Sequence, residues 1–410
     1  MPTQHRIAYL VSQYPAASHV FILREILGLR ARGFEIHTAS VNPDTRALES
    51  LPANEQIEQH NTLVIKNWPR LQLGLDLLLA IFQFKSRTWR ALAQSWRLAK
   101  PGWRGHGLAM AYFIEALLLA RWLKARDLDH LHVHFGNEAA LVGVLCKTLS
   151  HCQLSFTIHG PDEFYDVRGQ QLQAKISHAD LIICISQFAR SQLMLISSVA
   201  DWAKMQVVRL GINPEYQAGA VTLPAENTLL CVGRLVPAKG QRVLLQALAE
   251  LAREGLRPQL TLAGGGADQA ELEQLAAQLG VAEQVCLTGP LSSEATRQLY
   301  RQAKVFVLPS FAEGIPVVLM EAMASGVPCI SSRITGIAEL IEHEKEGLLI
   351  HAGDSHALAQ AIKTLLFQPD FARSLALAAQ AKIKHAYHLE RNLDQLAQCF
   401  SAFNREPHHA

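Results

Sequence analysis

Short runs of apolar, strand-forming residues alternate with longer stretches of helical periodicity along this whole 410-residue chain. The strand-like runs fall at 6–12, 36–41, 130–134, 154–158 and 181–185, and again at 228–233, 259–263, 285–288, 305–309 and 328–331. Helical patterns such as 20–31, 241–254, 268–279, 294–302 and 356–367 lie between them. Parallel strands need a crossover, usually a helix, so this series predicts parallel sheets flanked by helices. The length suits two cores better than one, and no fixed period repeats, which excludes a solenoid. The series breaks once, near Gly211-Ile212-Asn213-Pro214, where a polar stretch runs to Asn227. The expected organisation is therefore α/β, with two doubly wound Rossmann-like domains at 1–212 and 213–384. In the remaining segment, 385–410, a helical stretch at 389–403 has no partner strand and is expected to cross back to the first domain. Ligands of open α/β sheets bind beyond the carboxyl ends of the strands, so the chemistry is expected in a cleft where the two domains face each other.

The richest local pattern is Val305-Phe-Val-Leu-Pro-Ser310 followed by Phe-Ala-Glu313-Gly314-Ile315-Pro316-Val-Val-Leu-Met-Glu321-Ala-Met-Ala-Ser-Gly326-Val-Pro328. A buried strand ends at Ser310. Pro316 suits a first helical position, where its missing N–H costs nothing, and Gly326 and Pro328 close the helix. The expected helix terminus offers the N–H groups of Val317, Val318 and Leu319 together with positive dipole density, a setting for a diphosphate. Glu313 sits at its mouth, and Glu321 lies one turn inside with its side chain tilted back. Carboxylates only accept hydrogen bonds, so two of them at one mouth suit a ligand rich in hydroxyls, such as a ribose and a sugar. A bare pair of glutamates at this spacing is common on solvated surfaces; the punctuation around it gives it meaning.

A second pattern is Cys231-Val-Gly233-Arg234-Leu-Val-Pro-Ala-Lys239-Gly240. It places two cations after a strand, where they would balance charge on a departing diphosphate. Taken alone, they read as ordinary solvated loop residues. Gly264-Gly265-Gly266, with Gly265 at its centre, follows the next strand and permits either close backbone approach to a ligand or a tight turn. Neither a G-x-G-x-x-G fingerprint nor a G-x-x-x-x-G-K-[ST] loop is present.

In the first half, Phe156-Thr-Ile-His159-Gly160-Pro-Asp162-Glu163 follows a strand. His159 would meet a sugar hydroxyl there or serve as a structural histidine. His130, His132 and His134 alternate and so share one strand face. That spacing invites a metal, yet hydrogen-bonded interior histidines explain it equally. Asp127-Leu-Asp129 precedes a strand in the half that lacks the diphosphate pattern, and carries no metal reading.

Taken in order, these segments resemble one family. Val232-Gly233-Arg234 with Lys239-Gly240, Pro309-Ser310, the Glu313–Pro328 pattern, Gly336-Ile337-x-Glu339-Leu340 and Glu346-Gly347-Leu348-Leu349 are similar to the retaining glycosyltransferases of family 4, which have the GT-B fold. The resemblance implies Arg234 and Lys239 on the donor diphosphate and Glu321 on the ribose. It implies Glu313, with the Gly314, Ile315 and Pro316 backbone, at the donor sugar. It makes His159, in a His-Gly-x-Asp element with Asp162, an active-site residue beside Glu313, and it adds His134 and Gly136, since His-Phe-Gly opening a helix recurs in such relatives. It implies transfer from a nucleotide-diphosphate sugar, here a UDP-sugar, to a saccharide acceptor by front-face displacement. No cofactor or metal is expected, because fixed cations do the electrostatic work.

Many family members carry a glycine-rich loop after the first strand. This chain has Tyr14-Pro15, Ser18, Phe21-Ile22 and Arg24-Glu25 instead, which resembles the members that build exopolysaccharides and colanic-acid-type capsules. Ser18 is either a further cleft residue or a helix cap.

Net charge is only +2, but eleven Lys/Arg face two acids, Asp76 and Glu115, between Lys66 and Arg126. Trp68, Trp89, Trp96, Trp103 and Trp122 fall in the same stretch. Basic, tryptophan-rich helices match an interfacial surface for anionic lipid, or a solvated face over an ordinary core. The lipid reading implies a lipid-linked saccharide acceptor at the inner face of the cytoplasmic membrane. No secretory signal and no apolar run of spanning length is evident. The seven cysteines lack a C-x-x-C pair and are expected to be reduced and buried in a cytoplasmic protein. No nucleic-acid partner is expected. Two other readings fit the same scaffold, a nucleotide-sugar epimerase and a non-enzymatic nucleotide-binding scaffold of an envelope-assembly complex.

Overall fold

The computed structural model describes residues 5–16, 19–160, 162–217 and 219–403. The chain divides into two compact units. The first runs to Val208 and takes in the chain from Leu393 onward; the second is Arg209–Asn392. The sequence placed these breaks at 212 and 385. The offset has a local cause: Ile212 N–H donates to the Tyr387 carbonyl and Asn392 Nδ2 to that of Leu210, which ties 210–212 to 387–392 within the second unit.

Among the described residues the first unit holds seven parallel strands: β1 (Arg6–Gln13), β2 (Glu35–Asn42), β3 (Leu63–Val64), β4 (His130–His134), β5 (Gln153–Ile158), β6 (Leu181–Cys184) and β7 (Met205–Val207). Their order is β3-β2-β1-β4-β5-β6-β7. The edge strands β3 and β7 escaped sequence reading because two or three residues show no period. Side chains alternate across the pleat. Ile7, Tyr9 and Val11 pack with Ile22 and Ile26 of the helix Val20–Ala31 and with Leu396 and Phe400 of the helix Leu389–Phe403. Ala8 and Leu10 face the opposite core, filled by the helices Trp103–Ala125 and Glu138–Ser150. A Cβ on Gly28 would lie 2.3 Å from Leu393 Cδ1, so only glycine lets the terminal segment close on that helix.

The second unit repeats the plan with six parallel strands: β8 (Thr228–Val232), β9 (Gln259–Ala263), β10 (Val285–Gly289), β11 (Val305–Leu308), β12 (Cys329–Ser332) and β13 (Leu348–Ile350), in the order β10-β9-β8-β11-β12-β13. The short edge strand β13 was again missed. β10 is the opposite edge, which is why Cys286 is exposed rather than buried as its apolar run suggested. All seven cysteines are free.

Each sheet reverses its winding once, between β1 and β4 in the first unit and between β8 and β11 in the second. Such a switch point opens a crevice at the carboxyl ends of the strands. His134 and His159 lie at the first of these places, and Lys239 and Glu313 at the second.

Candidate functional site

In the second unit, β8 and β11 end side by side. Gly240 has φ +68, and a Cβ there would sit 2.1 Å from the Pro309 carbonyl oxygen. Glycine therefore draws the loop after β8 against the end of β11. The consequence is direct: Lys239 Nζ comes 2.7 Å from Glu313 Oε1, and Ser310 Oγ donates to the same oxygen at 2.7 Å. Glu313 is 6 % exposed, a nearly dry carboxylate held by one ammonium and one hydroxyl. Thr335 Oγ1 donates to the Glu313 carbonyl, and Gly336 packs so closely on Gly314 that a Cβ would approach its oxygen to 2.2 Å. The Glu313–Pro316 loop is thus clamped from both sides.

Lys239 is half-buried and paired with Glu313, rather than solvated as a lone loop lysine would be. Arg234 is exposed, and among the described residues no hydrogen bond or ion pair joins its guanidinium to Glu313 or Glu321. Its carbonyl accepts from Gln241 Nε2 at 2.9 Å, which fixes the loop while leaving the side chain to reach outward. The three glycines after β9 divide the work. Added Cβ atoms at Gly264 and Gly266 would lie 2.0 and 2.1 Å from the carbonyl oxygens of Gly233 and Leu235. Those two let the β9 loop lie on the β8 loop, while the carbonyl of Gly265 accepts from Leu235 N–H.

The helix after this loop is Val317–Ala324. Pro316 is its cap, with ψ 114, rather than its first helical residue. Leu319 N–H bonds to the Pro316 carbonyl, so it is not one of the donors the sequence reading counted. Val317 and Val318 still begin the helix with no preceding turn to pair them. Glu321 is buried, with Oε2 3.2 Å from the Tyr300 hydroxyl, which also lies 3.1 Å from the Val318 carbonyl. Burial first, then the Glu321 charge, raises the Tyr300 phenol well above its ordinary range. It stays a donor. Tyr300, Ser310 and Thr335 are the partners that sequence reasoning missed; only their fold neighbours reveal them.

In the first unit, His134 ends β4 and His159 follows β5. These strands pair with His134 opposite Thr157, and the two rings meet with His134 Nδ1 3.1 Å from His159 Nε2. Phe135 and Phe21 cover His159 at centroid distances of 4.5 and 4.9 Å. Glu163, also unrecognised in the sequence, binds both loops: Oε1 accepts from Gly136 N–H, and Oε2 from His159 N–H at 2.9 Å and from Gly160 N–H. Lys175 Nζ completes the clamp at 2.7 Å from the carbonyls of both Gly136 and Asn137. A Cβ on Gly136 would crowd Leu172 Cδ1 at 2.9 Å and Glu163 Oε1 at 3.2 Å, which explains the glycine. Burial pushes the Glu163 carboxyl up to about 7, against the three backbone N–H groups and Lys175, which favour the carboxylate. Burial also draws the Lys175 ammonium down to about 8. Ser18 and the side chain of Asp162 lie outside the described residues.

The alternating histidines are hydrogen-bonded to the neighbouring strand. Ser155 Oγ lies 2.7 Å from both His130 Nε2 and His132 Nδ1, and Thr157 Oγ1 lies 2.9 Å from His132 Nε2. Ligand atoms of Glu25, His132 and His134 come within 4.8 Å of one another, close enough to share a cation. Both nitrogens of His132 are already committed to hydroxyls, so a hydrogen-bond network describes this trio.

Two doubly wound parallel sheets in one chain, each with polar side chains at its switch point, have the architecture of the GT-B glycosyltransferases. Family models agree: residues 19–216 match "Glycosyltransferase Family 4", and residues 216–382 match "Glycosyl transferases group 1". The chain belongs to the family 4 glycosyltransferases. It is 27 % identical to the amylovoran biosynthesis glycosyltransferase AmsK of Erwinia amylovora, over 96 % of this chain and 98 % of that one. It is 24 % identical to WcaL of Escherichia coli K12, a glycosyltransferase assigned to colanic acid biosynthesis, over 96 % and 99 %. Among solved structures, the Anabaena protein HepE in complex with UDP and glucose aligns at TM-score 0.72 and 19 % identity over 97 % of this chain and 100 % of that one. A sucrose-phosphate synthase from Thermosynechococcus elongatus aligns at 0.76 and 20 % identity over 98 % and 99 %. At these identities the structural likeness speaks for the fold.

Proposed function

We propose that this glycosyltransferase moves a sugar from a UDP-sugar to a lipid-linked saccharide during exopolysaccharide assembly, with retention of anomeric configuration and without a metal. The observation that carries the reading is the Lys239–Glu313–Ser310 cluster beside the helix Val317–Ala324 at the β8/β11 switch point. On this reading the second unit binds the donor. Arg234, Lys239 and the first turn of the helix stabilise the departing diphosphate, where charge builds in the transition state. Glu321, held by Tyr300, accepts from ribose hydroxyls, and Glu313 with the Gly314–Pro316 backbone meets the donor sugar. In the first unit, His159 meets a sugar hydroxyl of a substrate. The place in exopolysaccharide assembly is supported by AmsK and WcaL, which match over nearly the whole chain. The nucleotide is supported by the UDP bound in HepE. Against it stands a mannosyltransferase of Mycolicibacterium smegmatis that is GDP-mannose-dependent and 29 % identical over 60 % of this chain.

The lipid-linked acceptor is supported by the surface of the helices Arg70–Phe84, Ser86–Arg97 and Trp103–Ala125. Leu71, Phe82 and Trp103 are 100, 75 and 80 % exposed, beside exposed Lys85, Arg90, Arg97 and Arg104. Apolar side chains among cations suit the headgroup boundary of an anionic membrane. No helix among the described residues is long and apolar enough to cross one, so the proposed contact is peripheral, at the cytoplasmic face.

A panel of UDP- and GDP-sugars read by thermal unfolding tests the donor. The expected result is stabilisation by a UDP-sugar, followed by transfer to an acceptor with the donor's anomeric configuration kept in the product's proton couplings. Stabilisation by GDP-sugars alone overturns the nucleotide, and an inverted product overturns retention.

A further inference from the structure

Behind His159 lies a buried chain of polar groups that the proposed chemistry does not use. Tyr9 OH donates to Glu25 Oε1 at 2.8 Å. The same oxygen lies 3.2 Å from His134 Nε2, and His134 Nδ1 lies 3.1 Å from His159 Nε2. Tyr9 and His134 are fully buried, and Glu25 and His159 are 8 and 6 % exposed. Among the described residues His134 Nε2 makes no hydrogen bond, and Glu25 Oε1 faces it only as a 3.2 Å charge contact.

We propose that Glu25 and His134 form a positioning relay that sets the tautomer of His159 and leaves its Nδ1 lone pair as the acceptor offered to substrate. The argument is one of proton placement. A carboxylate only accepts. Glu25 Oε1 already takes the Tyr9 hydroxyl proton, so a bare His134 Nε2 would set two lone pairs against each other in a dry interior, which is costly. His134 therefore carries its proton on Nε2. An imidazole with a single proton has one donor and one acceptor nitrogen, so a His134 ring that holds its one proton on Nε2 presents Nδ1 as an acceptor. The facing His159 Nε2 must then donate. Burial first, then the neighbouring His134 and His19, holds His159 well below the usual imidazole range, so the ring is neutral and Nδ1 carries the lone pair. The register of β4 against β5, and Glu25 on the helix Val20–Ala31 over β1, bring the three side chains together.

His159 as a group that meets substrate rests on the glycosyltransferase reading; the tautomer does not, and the two fail separately. Long-range nitrogen–proton spectra of 15N-histidine protein, without donor or acceptor, read the ring states directly, with His134→Asn and His159→Asn used for assignment. The expected spectrum has both rings protonated on Nε2 and bare on Nδ1. A His159 ring protonated on Nδ1 overturns the relay. The functional arm uses Glu25→Gln, checked by its unfolding midpoint. With the charge gone, His159 is expected to populate both tautomers, and kcat is expected to fall ~10-fold with the donor KM unchanged. A folded Glu25→Gln protein with wild-type ring states and wild-type kcat removes the positioning role. Intact ring states in a protein that transfers no sugar leave the relay standing and remove the functional reading.

Discussion

Lys239 Nζ and Glu313 Oε1 lie 2.7 Å apart, although the two residues stand on loops after different strands. Neither side chain is more than 17 % exposed, so water screens the pair weakly. Removing one partner strands the other. Lys239→Ala is expected to destabilise the protein by ~2–4 kcal/mol, because it leaves the Glu313 carboxylate buried with only Ser310. It is also expected to lower turnover ~10-fold or more through the lost contact to the leaving group. The double variant Lys239→Ala/Glu313→Ala should recover much of the stability and none of the turnover. Denaturant unfolding and steady-state rates on wild type, Lys239→Ala, Glu313→Ala and the double variant check this; a coupling energy near zero in the cycle means that the pair is only a surface contact.

Tyr300 and Glu321 separate two roles that are easily confused. The hydroxyl holds the carboxylate from behind, at 3.2 Å, and is expected to have no contact with ligand. Tyr300→Phe should weaken UDP binding by ~3- to 10-fold, because a less ordered carboxylate loses part of one hydrogen bond. Glu321→Ala should weaken it at least as much and lower turnover ~10-fold. Calorimetric titration with UDP gives both numbers. Equal UDP affinity in Glu321→Ala and wild type would detach this residue from the ribose.

The contrast between these two pairs shows what was legible in the sequence. The β11 loop-and-helix segment could be read because each punctuation residue fixes its own backbone: Pro316 sets φ before a helix, and Gly326 ends it. Lys239-Gly240 could be read in part, as a loop that needs glycine. The partner of Lys239 could not, because pairing depends on β8 lying beside β11, a fact of sheet order. The same holds for Tyr300 behind Glu321, for Glu25 behind His134, and for Glu163 across two loops. Edge strands of two or three residues were missed for a different reason, since they are set by neighbours rather than by their own periodicity.

The first unit should respond to acid in a way that names its groups. Burial holds His132 and His159 well below their ordinary value of 6.5, and pushes Glu163 up to about 7 from 4.5. Between about pH 6 and 5 the unfolded chain binds a proton at each of the two histidines that the native protein does not. The native protein holds one at Glu163 that the unfolded chain mostly lacks. Through these three groups the unfolded state binds about one more proton, and their contribution to stability should fall by ~1.4 kcal/mol per pH unit on acidification. Glu163→Gln keeps a neutral group and removes the offset, so its slope should be about twice as steep, on top of a loss of ~1–3 kcal/mol from an amide nitrogen facing a backbone donor. Unfolding free energy against pH for both proteins checks the sign. A wild-type stability that rises on acidification in this window contradicts the assignment of the buried, neutral histidines.

The exposed helices of residues 70–125 give the last prediction. Leu71 and Phe82 stand on the helix Arg70–Phe84, and Trp103 opens the helix Trp103–Ala125 with the Arg104 guanidinium 5.2 Å from its ring. A surface of this kind binds through two contributions that salt separates. The cations are drawn to anionic headgroups over a Debye length of about 10 Å at 0.1 M salt, and the apolar side chains insert regardless of salt. The protein should sediment with phosphatidylglycerol vesicles at low salt, and only weakly with phosphatidylcholine vesicles. Raising salt should release part of it. The double variant Leu71→Ser/Phe82→Ser should release most of the salt-resistant fraction while leaving UDP binding unchanged, since neither residue lies in the second unit, where the donor is proposed to bind. A protein that stays in the supernatant with anionic vesicles at low salt has no membrane face here, and its acceptor must then be reached in solution.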